Sequence, residues 1–319
     1  MTPEAPRGKV EKMNTSRLLK SMALATLLVA ALPVVSGASA QELPAPSRRA
    51  LQQPETVTLP LSVDGSQVRV IAHLYKPAGD GPFPLVLFAH GRAGTSQERA
   101  DLKFPIGVSH ANYWLQKGVA VLAPIRPGYG QTAGADREIS GVRWDGGTCI
   151  GAFNAGHVAS VARQTQAAAL AWAQSQPWVR ADRVLLEGQS VGGMTTVALS
   201  ALNPKGVVGA VNFSGGTGGN PHTSPGRSCQ PDVLTRLYGD LGQQVRMPNL
   251  WLYASNDQYW GPDAPLAWHQ AFKAGGSDTA LLQTGPVEGT DGHQLVNRGG
   301  SLWRATLDAF VQKTGLLAP

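Results

Sequence analysis

The sequence predicts an α/β fold with a doubly wound, mostly parallel sheet and an antiparallel edge formed by its first strands. Strand-like and helix-like segments alternate through the middle of the chain, and most strand-like segments are continuous apolar runs. Such runs are typical of strands that helices bury on both faces, as in parallel sheets. The chain shows no internal repeat and no interior linker, which favours a single domain at about 56–316.

The predicted elements begin with an antiparallel hairpin. Two strand-like runs, at 57–61 and 68–74, flank Asp64-Gly65, which is a turn signal. Further strands are predicted at 84–89, 119–123, 184–187, 207–213, 250–254 and 280–282. Helices are predicted at 109–117, 156–175, 191–201, 266–272 and 301–314. The longest helix contains no proline and places its apolar residues at helical spacing.

The N-terminus has the pattern of an export signal. Arg17 and Lys20 precede an apolar run at 22–35, and Ala38-Ser39-Ala40 follows it. A positive start, a short apolar stretch and an A-x-A site describe a secretory signal peptide. A membrane anchor is the alternative, but the run is shorter than the roughly 20 residues that a span needs. We therefore expect residues 1–40 to be removed near Ala40.

Export defines the expected mature protein. The start of translation stays open between Met1 and Met13. Residues 41–55 are polar and rich in proline, which predicts a flexible lead-in. No later stretch reaches membrane length, so we expect a protein in the periplasm or the medium that is not bound to a membrane. The sequence does not fix the oligomeric state.

Composition excludes several classes of protein. With 42% hydrophobic and 15% charged residues the chain is too apolar to be disordered, and two cysteines are too few for a disulfide scaffold. The net charge is +6, but half of this excess lies in residues 1–40. No run of lysine or arginine follows, so nucleic acid is not an expected partner.

The two cysteines, Cys149 and Cys229, lie in loop-like sequence. In an oxidising compartment two cysteines are more often bridged than free, which favours a disulfide between them. Two unrelated buried thiols are the alternative. Neither cysteine has a C-x-x-C partner, so the sequence does not predict a metal site.

The most specific motif is Gly188-Gln189-Ser190-Val191-Gly192, which matches G-x-S-x-G between a predicted strand and a predicted helix. That context is the one in which the motif presents a nucleophilic serine on a strained turn. Small residues are needed two positions before and after the serine, because strand and helix come close there. A tight turn with an incidental serine is the alternative.

A serine hydroxyl needs a base to remove its proton, and in this arrangement the base follows the serine in the chain. Three histidines are candidates: His222, His269 and His293. His293 is favoured because it lies in a glycine-flanked loop between the last predicted strand and the terminal helix. His269 falls in a predicted helix, and His222 in a polar loop.

The base needs a carboxylate that orients its ring. Asp257 directly follows the strand predicted at 250–254, which places it at the carboxyl edge of the sheet. Asp263 lies farther from the strand end, and Asp291 is too near His293 in sequence to orient it easily. We therefore predict that Asp257 is the acid.

An oxyanion hole requires two N–H donors that are already in place. One is predicted to be the amide of Val191, directly after the serine. The second is expected in the loop after strand 84–89, from the amide of Arg92 or, as the less favoured choice, of Gly91, where the lack of a side chain permits close approach. We expect His90 to hold this loop in place.

Together these motifs resemble those of the α/β-hydrolase superfamily, and within it the dienelactone-hydrolase-like and related secreted esterases. They occur in the family's order across most of the mature chain: His90-Gly91, Pro127-Gly128-Tyr129-Gly130, the motif around Ser190, Ser255-Asn256-Asp257 and Gly292-His293. The dienelactone hydrolases proper use a cysteine nucleophile, whereas this chain has Ser190. The resemblance therefore implies ordinary ester hydrolysis.

The implied protein is a serine hydrolase that cleaves small-molecule carboxylic esters through an acyl-enzyme, with no cofactor and no metal. A peptidase or amidase of the same fold is one alternative; such relatives often carry a propeller domain, for which this chain has no room. A non-catalytic binding member is the other, although it would be expected to lack one of the three catalytic residue types.

The substrate pocket is the least determined part of the prediction. Residues 131–160 and 214–245 are rich in glycine and polar side chains, and we expect them to form its rim. Tyr259 and Trp260 are candidates for an aromatic wall, with core packing as an equal alternative. Arg92 and Arg126 could receive a substrate carboxylate, but solvated surface positions are favoured.

Overall fold

The computed structural model describes residues 51–63 and 65–318. The predicted signal peptide at 1–40 and most of the predicted lead-in lie outside these residues. The ten strands of the described chain are β1 Glu55–Val63, β2 Ser66–Tyr75, β3 Phe83–Ala89, β4 Ala120–Pro124, β5 Arg143–Asp145, β6 Thr148–Ile150, β7 Val179–Gln189, β8 Val207–Phe213, β9 Asn249–Ala254 and β10 Thr279–Thr284.

Eight α-helices accompany these strands within the described residues: α1 Ser96–Ala100, α2 Val108–Leu115, α3 Ala155–Gln174, α4 Val191–Ser200, α5 Pro231–Gln244, α6 Asp263–Ala274, α7 Leu295–Arg298 and α8 Gly300–Thr314. Two short 3-10 helices lie at Gly130–Thr132 and Gly292–Gln294. None of the described helices is both long enough and apolar enough to cross a membrane.

Eight of the strands form one sheet in the order β1-β2-β4-β3-β7-β8-β9-β10. Strand β2 pairs antiparallel with β1 and with β4, and all other neighbours in the sheet are parallel. The predicted fold class, with its antiparallel N-terminal edge, is confirmed. Parallel strands end at one edge of the sheet, so the loops after β3, β7, β9 and β10 meet there.

Helices cover both faces of this sheet, because side chains alternate between the faces along each strand. In β3, Val86 and Phe88 pack with α2 and α8, whereas Leu85 and Leu87 pack on the opposite face, in the cluster to which α3 contributes. Helix α4 is buried along its whole length. The central strands are therefore apolar on both faces, which is the pattern that the sequence shows.

Part of the predicted pocket rim is more regular than expected. Residues 214–245 were predicted to form part of the pocket rim with no helix among them, but α5 occupies Pro231–Gln244. Its buried residues Leu234, Tyr238 and Leu241 recur at helical spacing, and Pro231 is favourable in the first turn of a helix. The other rim segment contains the antiparallel hairpin β5–β6. The glycine and polar content of both segments concealed these elements.

The predicted disulfide between Cys149 and Cys229 is present and closes a separation of 80 residues. Cys149 lies on β6, and Cys229 lies just before α5. A second link joins the same two segments, since the Trp144 indole N–H donates a hydrogen bond to the Gly218 carbonyl at 3.2 Å. The disulfide therefore fastens the β5–β6 hairpin to the loop between β8 and α5.

Helix α4 packs so closely on the sheet that a side chain is excluded at its start. A Cβ atom built on Gly192 would collide with the carbonyl of Ala89 at the end of β3, and one on Gly193 would collide with the Asn212 side chain of β8. Both glycines are thus required by the packing of helix against strand, independently of any chemistry at Ser190.

We expect reduction of the disulfide to lower the melting temperature by several degrees. A cross-link that closes a long loop restricts the unfolded chain and contributes about 2–4 kcal/mol to stability. The measurement is calorimetry with and without a thiol reductant, and a variant with both cysteines replaced by serine is the matched control, which the reductant should not shift. Two titratable thiols in the oxidised protein, with no shift on reduction, would contradict the disulfide.

We expect Gly192→Ala to destabilise the fold by about 1–3 kcal/mol, because its methyl group has no space against β3. Gly156→Ala in α3 is the matched control. A Cβ there meets nothing closer than 3.6 Å, so the substitution should be neutral or slightly stabilising. Chemical denaturation of both variants measures the difference. Equal stability of the two would show that α4 does not pack against the sheet as described.

Candidate active site

Ser190 occupies a strained turn between β7 and α4. Its backbone angles are φ 58° and ψ −126°, in the positive-φ region that residues other than glycine rarely adopt. The surrounding structure holds this conformation: the Ser190 N–H donates to the Phe213 carbonyl at 2.9 Å, and its carbonyl accepts from Gly216 at 3.1 Å. The side chain lines a cavity at the carboxyl edge of the sheet.

Asp257 and His293 are hydrogen-bonded to each other. The His293 Nδ1 atom lies 3.0 Å from Asp257 Oδ2 and 3.2 Å from Oδ1, and both side chains are buried. Asp257 also accepts the backbone N–H of Tyr259 at 2.8 Å and of Trp260 at 3.2 Å. These donors stabilise a carboxylate and leave it facing the ring. His293 itself stands on the 3-10 helix Gly292–Gln294, where a plain loop was predicted.

The His293 ring is enclosed by aromatic side chains. Tyr259 stacks on it with ring centroids 4.0 Å apart, and Trp260 meets it edge-on at 5.7 Å. Both aromatic residues also line the cavity, and the Trp260 indole donates to the Ser214 carbonyl at 2.8 Å. The two roles weighed from the sequence, cavity lining and packing, therefore coexist in these residues.

Ser190 and His293 are connected through the residue between β7 and the turn. The Gln189 side-chain amide donates to the His293 carbonyl at 2.8 Å. Among the described residues, no hydrogen bond joins the Ser190 hydroxyl to the imidazole. Ser190 and Tyr259, which stacks on the His293 ring, line the same cavity.

The alternative residues from the sequence have other partners or positions. His269 lies on α6 and its Nε2 contacts the Thr279 hydroxyl at 3.0 Å; burial lowers the pKa of His269 to about 4. Asp291 accepts the backbone N–H groups of Gln258 and His293, which fixes the loop under the ring. His222 is exposed at the cavity mouth, and Asp263 begins α6.

The loop after β3 lies against the serine. A Cβ built on Gly91 would stand 3.2 Å from the Ser190 Cβ, so a larger residue would crowd the Ser190 side chain. Within the described part of the chain, the backbone N–H groups of Arg92 and Val191 have no hydrogen-bond acceptor. Val191 is the first residue of α4, where an N–H has no partner within the helix.

Arg92 and Arg126 are not the solvated surface residues that the sequence favoured. Arg126 is 1% exposed and forms an ion pair with Glu138. Arg92 is partly buried and binds Asp136 with two hydrogen bonds of 2.8 and 2.6 Å. Asp136 and Glu138 lie more than thirty residues after the loop that follows β3. Their acidic character alone did not show that they bind the two arginines.

The cavity over Ser190 has a volume of about 630 Å³, which is within the range of small-molecule sites. One side is the loop at 92–95, and the other is the loop at 216–222. The segment 139–144 forms a third side and contributes Ile139, 64% of which is exposed, and Trp144. The disulfide-linked segments thus form two of these three sides, and Tyr259 and Trp260 complete the lining.

No protein-family model matches the sequence, and no curated protein matches it significantly. The fold is similar to solved structures. The 2,6-dihydroxy-pseudo-oxynicotine hydrolase matches with a TM-score of 0.55 and 16% identity over 83% of this chain and 68% of that chain. A cold-adapted esterase from an Arctic intertidal metagenomic library matches with a TM-score of 0.53 and 19% identity over 82% and 93%.

An acylaminoacyl peptidase of Pyrococcus horikoshii is also similar, with a TM-score of 0.53 and 12% identity over 82% of this chain and 42% of that chain. At these identities the similarity establishes the architecture. Together with the strand order and the strained serine turn after a parallel strand, it identifies the fold that the sequence predicted: the described residues form an α/β-hydrolase fold.

Proposed function

We propose that this protein is a serine-dependent hydrolase of carboxylic esters that works through an acyl-enzyme on Ser190, His293 and Asp257. The observation that carries the proposal is the buried hydrogen bond between Asp257 and His293 at the edge of the sheet where Ser190 occupies its strained turn. A base with an oriented ring and a serine on such a turn are two of the parts that nucleophilic acyl transfer needs.

In the proposed mechanism the Ser190 hydroxyl attacks the ester carbonyl while His293 takes its proton. Asp257 accepts the Nδ1–H of the ring, which leaves Nε2 free to act as the base, and it stabilises the imidazolium that forms. His293 then gives the proton to the leaving alcohol. Water, deprotonated by the same ring, then attacks the acyl group; the bond to Ser190 Oγ breaks, His293 returns the proton to this oxygen, and the acid is released.

The negative charge on the carbonyl oxygen needs donors that are already oriented. The amides of Val191 and Arg92 are the proposed pair, since neither donates to an acceptor among the described residues. The amide of Val191 also stands at the N-terminus of α4, where the helix dipole favours negative charge. Tyr259 stacked on His293 supports the charged ring through its π-face.

The cavity supports a small-molecule substrate with an apolar portion, because Ile139 and Trp144 expose apolar surface beside Ser190. Amide or peptide cleavage is the alternative reaction, and the similarity to an acylaminoacyl peptidase favours testing it. We also propose that the protein is exported, with the disulfide and the sequence of residues 1–40 as support.

We expect Ser190→Ala to reduce kcat for a chromogenic short-chain ester by several orders of magnitude, about 10⁴-fold or more, while the melting temperature changes little. The alanine removes the nucleophile but no group that the fold depends on. Ester assays and calorimetry on both proteins measure the two effects. Full esterase activity in Ser190→Ala would exclude the proposed nucleophile.

A serine-directed phosphonate separates the alternatives on the wild-type protein. Labelling of Ser190 together with ester turnover is expected. Labelling without ester turnover would favour the peptidase, and the absence of both would favour a binding protein. Ser200→Ala is a matched control for the serine substitution, since Ser200 is buried at the far end of α4 and its hydroxyl donates to the Val197 carbonyl at 2.8 Å.

We expect Asp257→Asn to reduce kcat by about 10⁴-fold, since an amide can hold the ring in the wrong tautomer. The geometry around the residue should be retained, because asparagine has the same shape and its oxygen can still accept from Tyr259. Steady-state kinetics measures the effect. Asp263→Asn is the matched control and should keep wild-type activity; an equal loss in both variants would contradict the role of Asp257.

A further inference from the structure

The loop that carries Gly91 and Arg92 is attached to one buried side chain. Arg126 follows β4, and its guanidinium donates from Nη1 to the His90 carbonyl at 2.6 Å and from Nη2 to the Gly91 carbonyl at 3.2 Å. Its backbone N–H donates to His90 Nε2 at 3.1 Å. Arg126 thus contacts the loop at three points without lining the cavity.

A carbonyl that is held in this way fixes the amide behind it. The Gly91 C=O and the Arg92 N–H belong to the same trans peptide unit, which is planar, so the two groups point in opposite directions. The His90 C=O and the Gly91 N–H are related in the same manner. Binding both carbonyls toward the protein interior therefore turns the N–H groups of Gly91 and Arg92 toward the opposite side.

The loop passes close to Ser190, since a Cβ built on Gly91 would stand 3.2 Å from the Ser190 Cβ. We propose that Arg126 is a positioning residue that orients the oxyanion-binding amides through the carbonyls of His90 and Gly91. This inference rests on the proposed function only in assigning oxyanion binding to the amides. The hydrogen bonds from Arg126 to the loop are a property of the fold.

The guanidinium is held in turn by two neighbours. Glu138 accepts from Arg126 Nε and, at 3.2 Å, from Nη2, and its Oε2 also accepts the Tyr129 hydroxyl at 2.7 Å. The guanidinium lies 5.2 Å from the centre of the Tyr129 ring. The three guanidinium nitrogens of Arg126 therefore all donate hydrogen bonds, and together these fix the orientation of the side chain.

His90 completes the attachment as a neutral ring. Burial, together with the nearby Arg126 charge, lowers the pKa of His90 well below its usual value. A neutral ring can accept the Arg126 N–H at Nε2 and donate from Nδ1 to the Gly91 carbonyl, 2.7 Å away. The Gly91 carbonyl thus accepts two hydrogen bonds, one from Arg126 and one from His90. Both fix the peptide plane to which the Arg92 N–H belongs. The structural role predicted for His90 therefore acts on the peptide unit between Gly91 and Arg92.

The Arg92 guanidinium forms its hydrogen bonds within the same cluster and is not left free for a substrate carboxylate. It binds Asp136, and its Nη1 also donates to the Tyr129 hydroxyl at 3.2 Å. Asp136 in turn accepts the backbone N–H of Glu138 at 3.0 Å. The segment around Asp136 and Glu138 therefore binds the two arginines that fix the loop. These are Arg92, within the loop, and Arg126, which follows β4.

The test uses Arg126→Lys, which keeps the positive charge but cannot bridge two carbonyls and a carboxylate. A crystal structure of the variant is expected to show the Gly91–Arg92 peptide turned or in two orientations. An unchanged peptide plane would overturn the proposal. This readout does not depend on activity, so it decides the proposal even if Ser190→Ala retains full activity and the proposed function fails.

Kinetics supplies a second readout. We expect kcat to fall about 10²-fold with KM changed less than about threefold, and the affinity for an arylboronic acid, which forms a tetrahedral adduct, to fall by the same factor as kcat. A rise in KM at unchanged kcat would overturn the proposal. Glu138→Gln receives both measurements if Arg126→Lys does not fold, with a smaller kcat loss expected.

Asp308→Asn is the matched control. Asp308 lies on α8, outside the cavity lining, and the substitution removes its carboxylate from an ion pair with Lys117. It should leave kcat, KM and boronic acid affinity unchanged. Equal kcat losses in Asp308→Asn and Arg126→Lys would show that the effect comes from general loosening of the fold, and the positioning role would then be rejected.

Discussion

The close packing of helix α4 on the end of strand β3 is the constraint on which the rest of the site depends. Gly192 permits the helix to approach the Ala89 carbonyl, and this approach leaves Ser190 in a backbone conformation that costs energy. Burial of the whole helix compensates for that cost. The strain at the serine is thus a consequence of the same contact that holds the sheet and its central helix together.

That contact also determines what faces the serine. Strand β3 ends beside α4, so the loop that follows it, with Gly91, must cross directly over the turn. The loop has no regular hydrogen bonds of its own to fix its peptide planes. Buried charged groups take this role: Arg126 holds the carbonyls, and Glu138 and Tyr129 hold Arg126. Buried ion pairs contribute little net stability; here the pair with Glu138 fixes the orientation of the Arg126 guanidinium.

Prediction from sequence succeeded where a local pattern, the topology of a parallel sheet or the chemistry of the compartment carried the information. Continuous apolar runs predicted the parallel strands, and glycine spacing around Ser190 predicted the turn. Asp257 and His293 follow successive strands, and they are hydrogen-bonded because parallel strands deliver their following loops to one edge; that they are catalytic stays a prediction. The bridge between Cys149 and Cys229 was inferred from compartment chemistry, and it joins two segments that no local pattern brings together.

The features that were missed depend on distant partners. Arg126 looks like a surface residue in sequence, and only the folded chain shows that Glu138 neutralises it in the interior. Helix α5 was concealed because polar residues occupy its exposed side and two glycines interrupt its sequence, although Leu234 and Tyr238 carry the helical spacing. The stacking of Tyr259 on His293 likewise required the acid loop and the histidine loop to meet.

We propose that Ser190 carries the acyl group during turnover. Mass spectrometry of the wild-type protein, acid-quenched within the first turnover of an aryl acetate, tests this most directly. We expect one added acetyl group on the peptide that contains Ser190. Turnover with an unmodified Ser190 peptide, or an acetyl group on another residue, would contradict it.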